Sequence, residues 1–135
     1  MTKLRCPFAG CDSCIVSAEE GRKVVLPAEV YDKLRLALPS NQAPRSGEFS
    51  VFEDIWDFDN IGVSRQVPTE IEAAAENAQE LRFTWKERPY TLGKLQKYLI
   101  CADCDRGPLG IVCEILDAEG ARETVNLLSL ASVLA

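Results

Sequence analysis

Six cysteines in a chain of 135 residues that contains no histidine limit what this sequence can fold into more than any other feature. Cys6, Cys11 and Cys14 lie near the N-terminus, Cys101 and Cys104 form a late CADC pair, and Cys113 stands alone. In a reducing compartment such thiols are read for metal or redox chemistry and not as structural disulfides. The absence of histidine excludes mixed Cys-His zinc sites, Cys-His and Ser-His nucleophile pairs, and the usual general base. An all-thiolate tetrahedral zinc site remains. The two residues between Cys101 and Cys104 let a turn aim both sulfurs at one ion, and the N-terminal cluster supplies the other pair while closing a long loop.

Three N-terminal cysteines compete for those two places. Cys11 and Cys14 have the conventional spacing, whereas Cys6 and Cys11 bracket the wider CPFAGC turn, bent by Pro7 and Gly10. Cys14 opens the apolar run Cys14, Ile15, Val16 and reads as a small core residue. The residues favour Cys6 and Cys11, with Cys14 in place of Cys6 as the alternative. Cys113 alternates with Ile111 and Ile115 and reads as a buried hydrophobe.

Charge narrows the partner. A formal net charge of -6 and a pI near 4.7 argue against a nucleic-acid ligand, which needs clustered Lys and Arg. Four thiolates and one dication would take the charge to about -8, so a neutral or basic partner is expected. No stretch reaches the roughly 20 apolar residues of a membrane span, and Met1 to Arg5 lead into Cys6 and Pro7 instead of a signal core. The expectation is a single cytoplasmic domain over 1–135, a monomer with no membrane insertion.

Hydrophobic periodicity predicts a mainly β chain with one or two short helices. Ile15 to Ala18 and Lys23 to Leu26 flank the acidic turn Glu19, Glu20, Gly21 and read as a hairpin. Pro27 opens a helix with Val30, Leu34 and Leu38 on one face. Residues 39–47 read as a surface loop. Phe49 to Val63 reads as extended, with Trp56 and Phe58 on one side and Asp57 and Asp59 on the other. Pro68 to Leu81 carries a capping box, Thr69 with Glu72, at the head of a short helix. Arg82 to Lys86, a turn at Glu87, Arg88 and Pro89, and Tyr90 to Leu92 form a second hairpin, with Trp85 in the core. Leu109, Ile111, Cys113 and Ile115 form a strand face, and Asp117 to Gly120 turn the chain into a last strand from Glu123 to Leu130.

Two segments, FEDIWDFDNIGVSR (Phe52 to Arg65) and KYLICADCDRGPLGI (Lys97 to Ile111), together with the N-terminal CPFAGC, resemble the suppressor-of-Sec-four family of zinc-containing, Rab-interacting guanine-nucleotide-release factors in its fungal type. The resemblance runs over most of the chain; the stretch 66–95 is longer than in shorter members and stands as a variable insert. It implies twisted antiparallel sheets in which one structural zinc ion joins two hairpin tips, with Cys6, Cys11, Cys101 and Cys104 as ligands. It also implies that Asp54, Ile55, Trp56, Asp57, Phe58, Asp59 and Asn60, with Asp103 nearby, bind a Rab-type small GTPase in its nucleotide-free form. The chain would then promote GDP release in vesicle-mediated transport as an exchange factor or chaperone.

Two other readings compete. One is a zinc-stabilised adaptor without exchange activity. The other is a thiol-dependent enzyme of the methionine sulfoxide reductase kind, for which Cys14 and Cys113 are the spare nucleophiles; neither has a histidine or an evident basic neighbour to lower its pKa.

Overall fold

Period-two alternation of apolar side chains dictates strands. Nine of them form among residues 2–8, 10–11, 13–18, 23–27, 30–36, 47–66 and 81–134, which are those the computed structural model describes. β1 (Thr2–Arg5) and β2 (Cys14–Ala18) pair as a small two-stranded sheet. The larger sheet has seven strands: β3 (Lys23–Leu26), β4 (Gly47–Phe52), β5 (Ile61–Gln66), β6 (Arg82–Trp85), β7 (Arg88–Cys101), β8 (Gly110–Asp117) and β9 (Arg122–Ser129). Its order is β3-β4-β9-β8-β7-β5, with β6 on the early part of β7, and every pairing is antiparallel. The mainly β, antiparallel expectation holds.

β7 serves two partners because it is 14 residues long and slips register against β8 between Leu92 and Leu95 and again between Leu95 and Lys97. Such bulges bend and twist a strand. Its first part pairs with β6 and its last part with β5, and the sheet curls until β3 contacts β6.

The central strands are covered on both faces. Phe49, Val51, Ile111, Cys113, Ile115, Val125 and Leu127 point into a core shared with Phe83, Trp85 and the short helix α1 (Val30–Leu34). Phe52, Leu99, Cys101, Leu109 and Leu128 point the other way, against Leu4, Ile15 and Val16 of the small sheet. Two-sided burial explains the continuous burial along the end of β4 and the end of β9, which takes in the polar Ser50, Asn126 and Ser129. The small sheet is held down further by Arg5 and Leu134, which exchange backbone hydrogen bonds of 2.7 and 2.9 Å.

Several local expectations need correction. Ile15 to Ala18 and Lys23 to Leu26 are both strands, but they do not pair with each other: β2 pairs with β1 and β3 with β4. Alternation identifies a strand without choosing its neighbour, and the neighbour is set by which core each strand fills. Ile15 and Val16 belong to one core, Val24 and Leu26 to the other. The first helix is one short turn, with Val30 and Leu34 fully buried, and it stops at Arg35 in the left-handed region at φ 52. Phe49 to Val63 is not continuously extended, because a 3-10 turn, Ile55–Asp57, interrupts it.

The hairpin over Arg82 to Leu92 forms as expected, with its tip one residue earlier than predicted, at Lys86 and Glu87, both at positive φ (53 and 62). Two successive left-handed residues make the tight turn whose twist suits a two-residue hairpin. Trp85 is in the core. Leu38, the loop at 39–46 and residues 68–80 of the second expected helix lie outside the described residues. Leu81, assigned to the end of that helix, is buried and accepts a hydrogen bond from the Leu92 N–H at 2.9 Å. Of the stretch 66–95, the part from Leu81 to Leu95 supplies six core side chains: Leu81, Phe83, Trp85, Tyr90, Leu92 and Leu95.

Candidate metal centre and its flanking turn

Cys6 follows β1 and Cys14 opens β2, so residues 6–13 are the tip of the first hairpin. Cys101 ends β7 and β8 begins at Gly110, so residues 101–109 are the tip of another. Each tip is fastened internally. The Cys6 N–H donates to the Ser13 carbonyl at 2.8 Å and the Cys11 N–H to the Phe8 carbonyl at 3.2 Å. In the second tip the Cys101 N–H donates to the Arg106 carbonyl at 3.0 Å, and the Asp105 N–H to the Cys101 carbonyl at 2.9 Å. Gly10, at φ 83, adopts a conformation that a side chain would disfavour, which explains the Gly in CPFAGC.

The two tips meet. The sulfurs of Cys6, Cys11, Cys101 and Cys104 all lie within 4.8 Å of one another. The Cys6–Cys104 and Cys11–Cys101 pairs are each separated by 3.6 Å. A tetrahedral ion with metal–sulfur bonds of ~2.3 Å requires sulfur–sulfur edges of about 3.8 Å, so the donor set fits one such ion. Backbone hydrogen bonds support each sulfur from the residue two positions on: Phe8 for Cys6, Ser13 for Cys11, Asp103 for Cys101 and Arg106 for Cys104. This pattern follows from the knuckle shape of each turn, which folds successive amides back over the sulfur.

The thiols differ in how readily they ionise. Burial pushes Cys6 and Cys101 up, whereas the backbone N–H and the hydroxyl of Ser13 hold Cys11 down at about 6. Burial also works against ionisation of Cys104, but hydrogen bonds from the backbone and side chain of Arg106 outweigh it and hold the thiol below its usual value. Buried thiolates are costly without a counter-charge, and a divalent cation among the four supplies it. With four sulfurs around one ion, no coordination position stays open, the hallmark of a structural site.

Cys14 is not in the cluster. It is half-buried instead of forming part of the core, and its thiol donates to the Asp59 carboxylate at 3.6 Å. Cys113 is completely buried, as expected, and burial pushes its thiol up.

The acidic aromatic segment lies against these tips. The Asp54 carboxylate accepts a 3.0 Å hydrogen bond from the Trp56 N–H and so caps the 3-10 turn. This turn separates the two aromatics that an extended chain would have kept together. Trp56 is 87% exposed, and Phe58 is buried with its ring centroid 4.5 Å from that of Phe52. The Asp59 and Asn60 N–H groups both donate to the Ile15 carbonyl, at 2.8 and 3.2 Å. The Asn60 side-chain amide donates to the Cys14 carbonyl at 2.9 Å. Asp54, Asp57, Asp59 and Asp103 are exposed; Ile55 and Asn60 are half-buried.

Ser13, which sequence reasoning missed, joins the two tips: its hydroxyl donates to the Asp103 carboxylate and lies 3.6 Å from the Cys11 sulfur. The available signal was a hydroxyl two residues after a candidate ligand, the position where a turn brings a polar group next to sulfur. Arg106 was missed too; its guanidinium sits 5.1 Å over the Phe8 ring and caps the outside of the first tip.

Two hairpin tips brought together by four thiols placed to hold a metal ion, on an antiparallel β chain with an acidic, tryptophan-bearing turn alongside, define the class of this protein. The family model described as Mss4 protein matches residues 1–125. Protein DSS4 of Saccharomyces cerevisiae is 36% identical over 137 aligned positions that cover 98% of this chain and 96% of the relative. A protein of Drosophila melanogaster described as "Guanine nucleotide exchange factor MSS4 homolog" is 27% identical over 113 positions, covering 81% of this chain and 69% of its own length. The chain belongs to the Mss4 family, in agreement with the suppressor-of-Sec-four resemblance of its two signature segments. No solved structure matches it.

Proposed function

We propose that this chain binds Rab-type small GTPases in their nucleotide-free form and promotes GDP release, as an exchange factor or a chaperone of the empty GTPase in vesicular traffic. It acts in the cytoplasm as a monomer, with one structural zinc ion held by Cys6, Cys11, Cys101 and Cys104. Zinc is the ion favoured by a closed, four-thiolate tetrahedral set. Membership of a family with a relative named as a guanine nucleotide exchange factor supports the activity.

The observation that carries the reading is Trp56, a large apolar side chain left 87% exposed on a capped turn among the carboxylates of Asp54, Asp57 and Asp59. An exposed aromatic anchor with an acidic rim suits a partner that presents both apolar and basic surface. A GTPase that has lost GDP and magnesium is such a partner, since its phosphate cradle is left basic and unfilled while its switch segments loosen. A protein that binds that state more tightly than the loaded state shifts the equilibrium toward release. Phe58 and Asn60 serve the same surface from behind, by fixing the turn that displays it.

The thiol-enzyme reading loses support on two observations: Cys113 is fully buried, and the Cys14 thiol is engaged as a donor to the Asp59 carboxylate. The test is GDP release from a panel of secretory Rab proteins, followed with a fluorescent nucleotide, together with gel filtration after nucleotide removal. Faster release and a co-eluting empty complex are expected. Unchanged release across the panel with no complex refutes the proposal, and slow GTP uptake from a long-lived complex identifies a chaperone.

A further inference from the structure

We infer that Asn60 is a positioning residue that couples the metal centre to the Trp56 turn, and that it acts through both knuckle-bearing hairpins at once. The inference rests on the metal-binding reading of the four cysteines and is independent of the identity of the GTPase.

Three contacts carry it. The Asn60 side-chain amide donates to the carbonyl of Cys14, at 2.9 Å, just beyond the first knuckle. Its backbone N–H donates to the Ile15 carbonyl at 3.2 Å, on the strand that leaves that knuckle. Its own carbonyl accepts from the N–H of Ala102, at 3.2 Å, and Ala102 lies between the ligands Cys101 and Cys104. One residue therefore bonds to the second tip and to the start of the strand that leaves the first.

Asn60 is also the end of the 54–60 segment, immediately before β5, where Ile61 pairs with Cys101. On its N-terminal side Asp59 is tied to Ile15 at 2.8 Å, Phe58 is buried against Phe52, and the Phe58 N–H closes the 3-10 turn on the Ile55 carbonyl at 3.3 Å. Separation of the two knuckles therefore pulls on the bonds that hold the base of the Trp56 turn. Because linkage is reciprocal, whatever loosens that base should also loosen the metal. Hydrogen-bonding partners around a ligand set typically change metal affinity by roughly 10–100-fold.

Asn60→Asp tests this at constant shape, because it replaces the amide donor facing the Cys14 carbonyl by an acceptor. Two measurements on the zinc-loaded chain are made: the rate of zinc extraction by a chromophoric chelator, and amide hydrogen exchange read residue by residue. Zinc should leave the variant about tenfold faster than the wild type. The amides of Trp56, Phe58 and Asp59 should exchange faster, while those of Val125 and Leu127 in the central sheet keep their protection. Ser13→Ala removes the clasp between the tips but keeps all three Asn60 bonds, so it should speed zinc release while loosening the three turn amides less than Asn60→Asp does.

Wild-type extraction in Asn60→Asp, or unchanged exchange at Trp56, Phe58 and Asp59, overturns the inference. Equal loosening of the turn in Ser13→Ala overturns it too, because the coupling would then run through the metal site as a whole. A wild-type chain that takes up no zinc sinks the metal reading itself, and that result is distinct from each of these.

Discussion

Replacing Trp56 by alanine should abolish most of the partner affinity while leaving the fold untouched. A tryptophan side chain buries about 200 Å² in an interface, and at ~25 cal/mol per Å² its complete desolvation corresponds to at most about 5 kcal/mol. Trp56 is 87% exposed in the free chain, so nearly all of that area is still available to a partner. Truncated anchors at interface centres lose about 2–4 kcal/mol, which is roughly 30-fold to 1,000-fold in dissociation constant. The 3-10 turn that carries it contains no buried residue, so stability should change by less than about 0.5 kcal/mol. Trp85 supplies the contrast. It is 5% exposed in the main core, and Trp85→Ala should lower stability by about 3–5 kcal/mol. The assay is binding to a nucleotide-free Rab protein alongside urea unfolding of the free variants. Wild-type affinity for Trp56→Ala would refute the anchor, and a large loss of stability in that variant would refute the exposed turn.

Other perturbations separate ligands from bystanders. Cys6→Ser and Cys101→Ser should each lower the zinc content measured by atomic emission from about one ion per chain toward zero and loosen both hairpin tips, whereas Cys14→Ser should keep its zinc; a zinc-free Cys14→Ser chain would restore the alternative ligand set. Zinc affinity should fall as pH drops from 8 to 6 in a chelator competition, because each bound thiolate must shed its proton first and burial raises the thiols of Cys6 and Cys101. Gly110→Ala should destabilise the chain by roughly 1–3 kcal/mol or more in a urea titration, since the added methyl would collide with the Leu127 carbonyl of β9, and that backbone cannot move aside cheaply.

The four-thiol cluster was legible in the sequence because thiolate spacing and the lack of histidine leave few ways to complete a tetrahedron, and the CPFAGC turn favours Cys6 over the alternative, Cys14. Most strands were legible for a similar reason: alternation along Arg82 to Trp85 or Ile111 to Ile115 is a local signal that survives folding, although Leu109, expected on the same face, precedes β8 and fills the other core. Pairing was not legible. Lys23 to Leu26 follows Ile15 to Ala18 closely along the chain, yet the two strands fill different cores, and only the three-dimensional arrangement of those cores assigns β2 to β1 and β3 to β4.

The acidic aromatic segment shows the same division more sharply. Its composition marked it as special, but an extended reading put Trp56 and Phe58 on one side. Whether a capped 3-10 turn interrupts the strand depends on Phe52 receiving Phe58 and on Ile15 receiving Asp59 and Asn60, contacts made across 6 and across more than forty positions of chain. The sequence thus narrowed the candidate metal donors to a few cysteines, because coordination chemistry accepts few donors, and the structure gathered Cys6, Cys11, Cys101 and Cys104 and left Cys14 outside. Only the tertiary structure decided which aromatic is displayed and which residue bridges that turn to the four-thiol cluster's hairpins, because burial and hydrogen bonding are settled by distant neighbours.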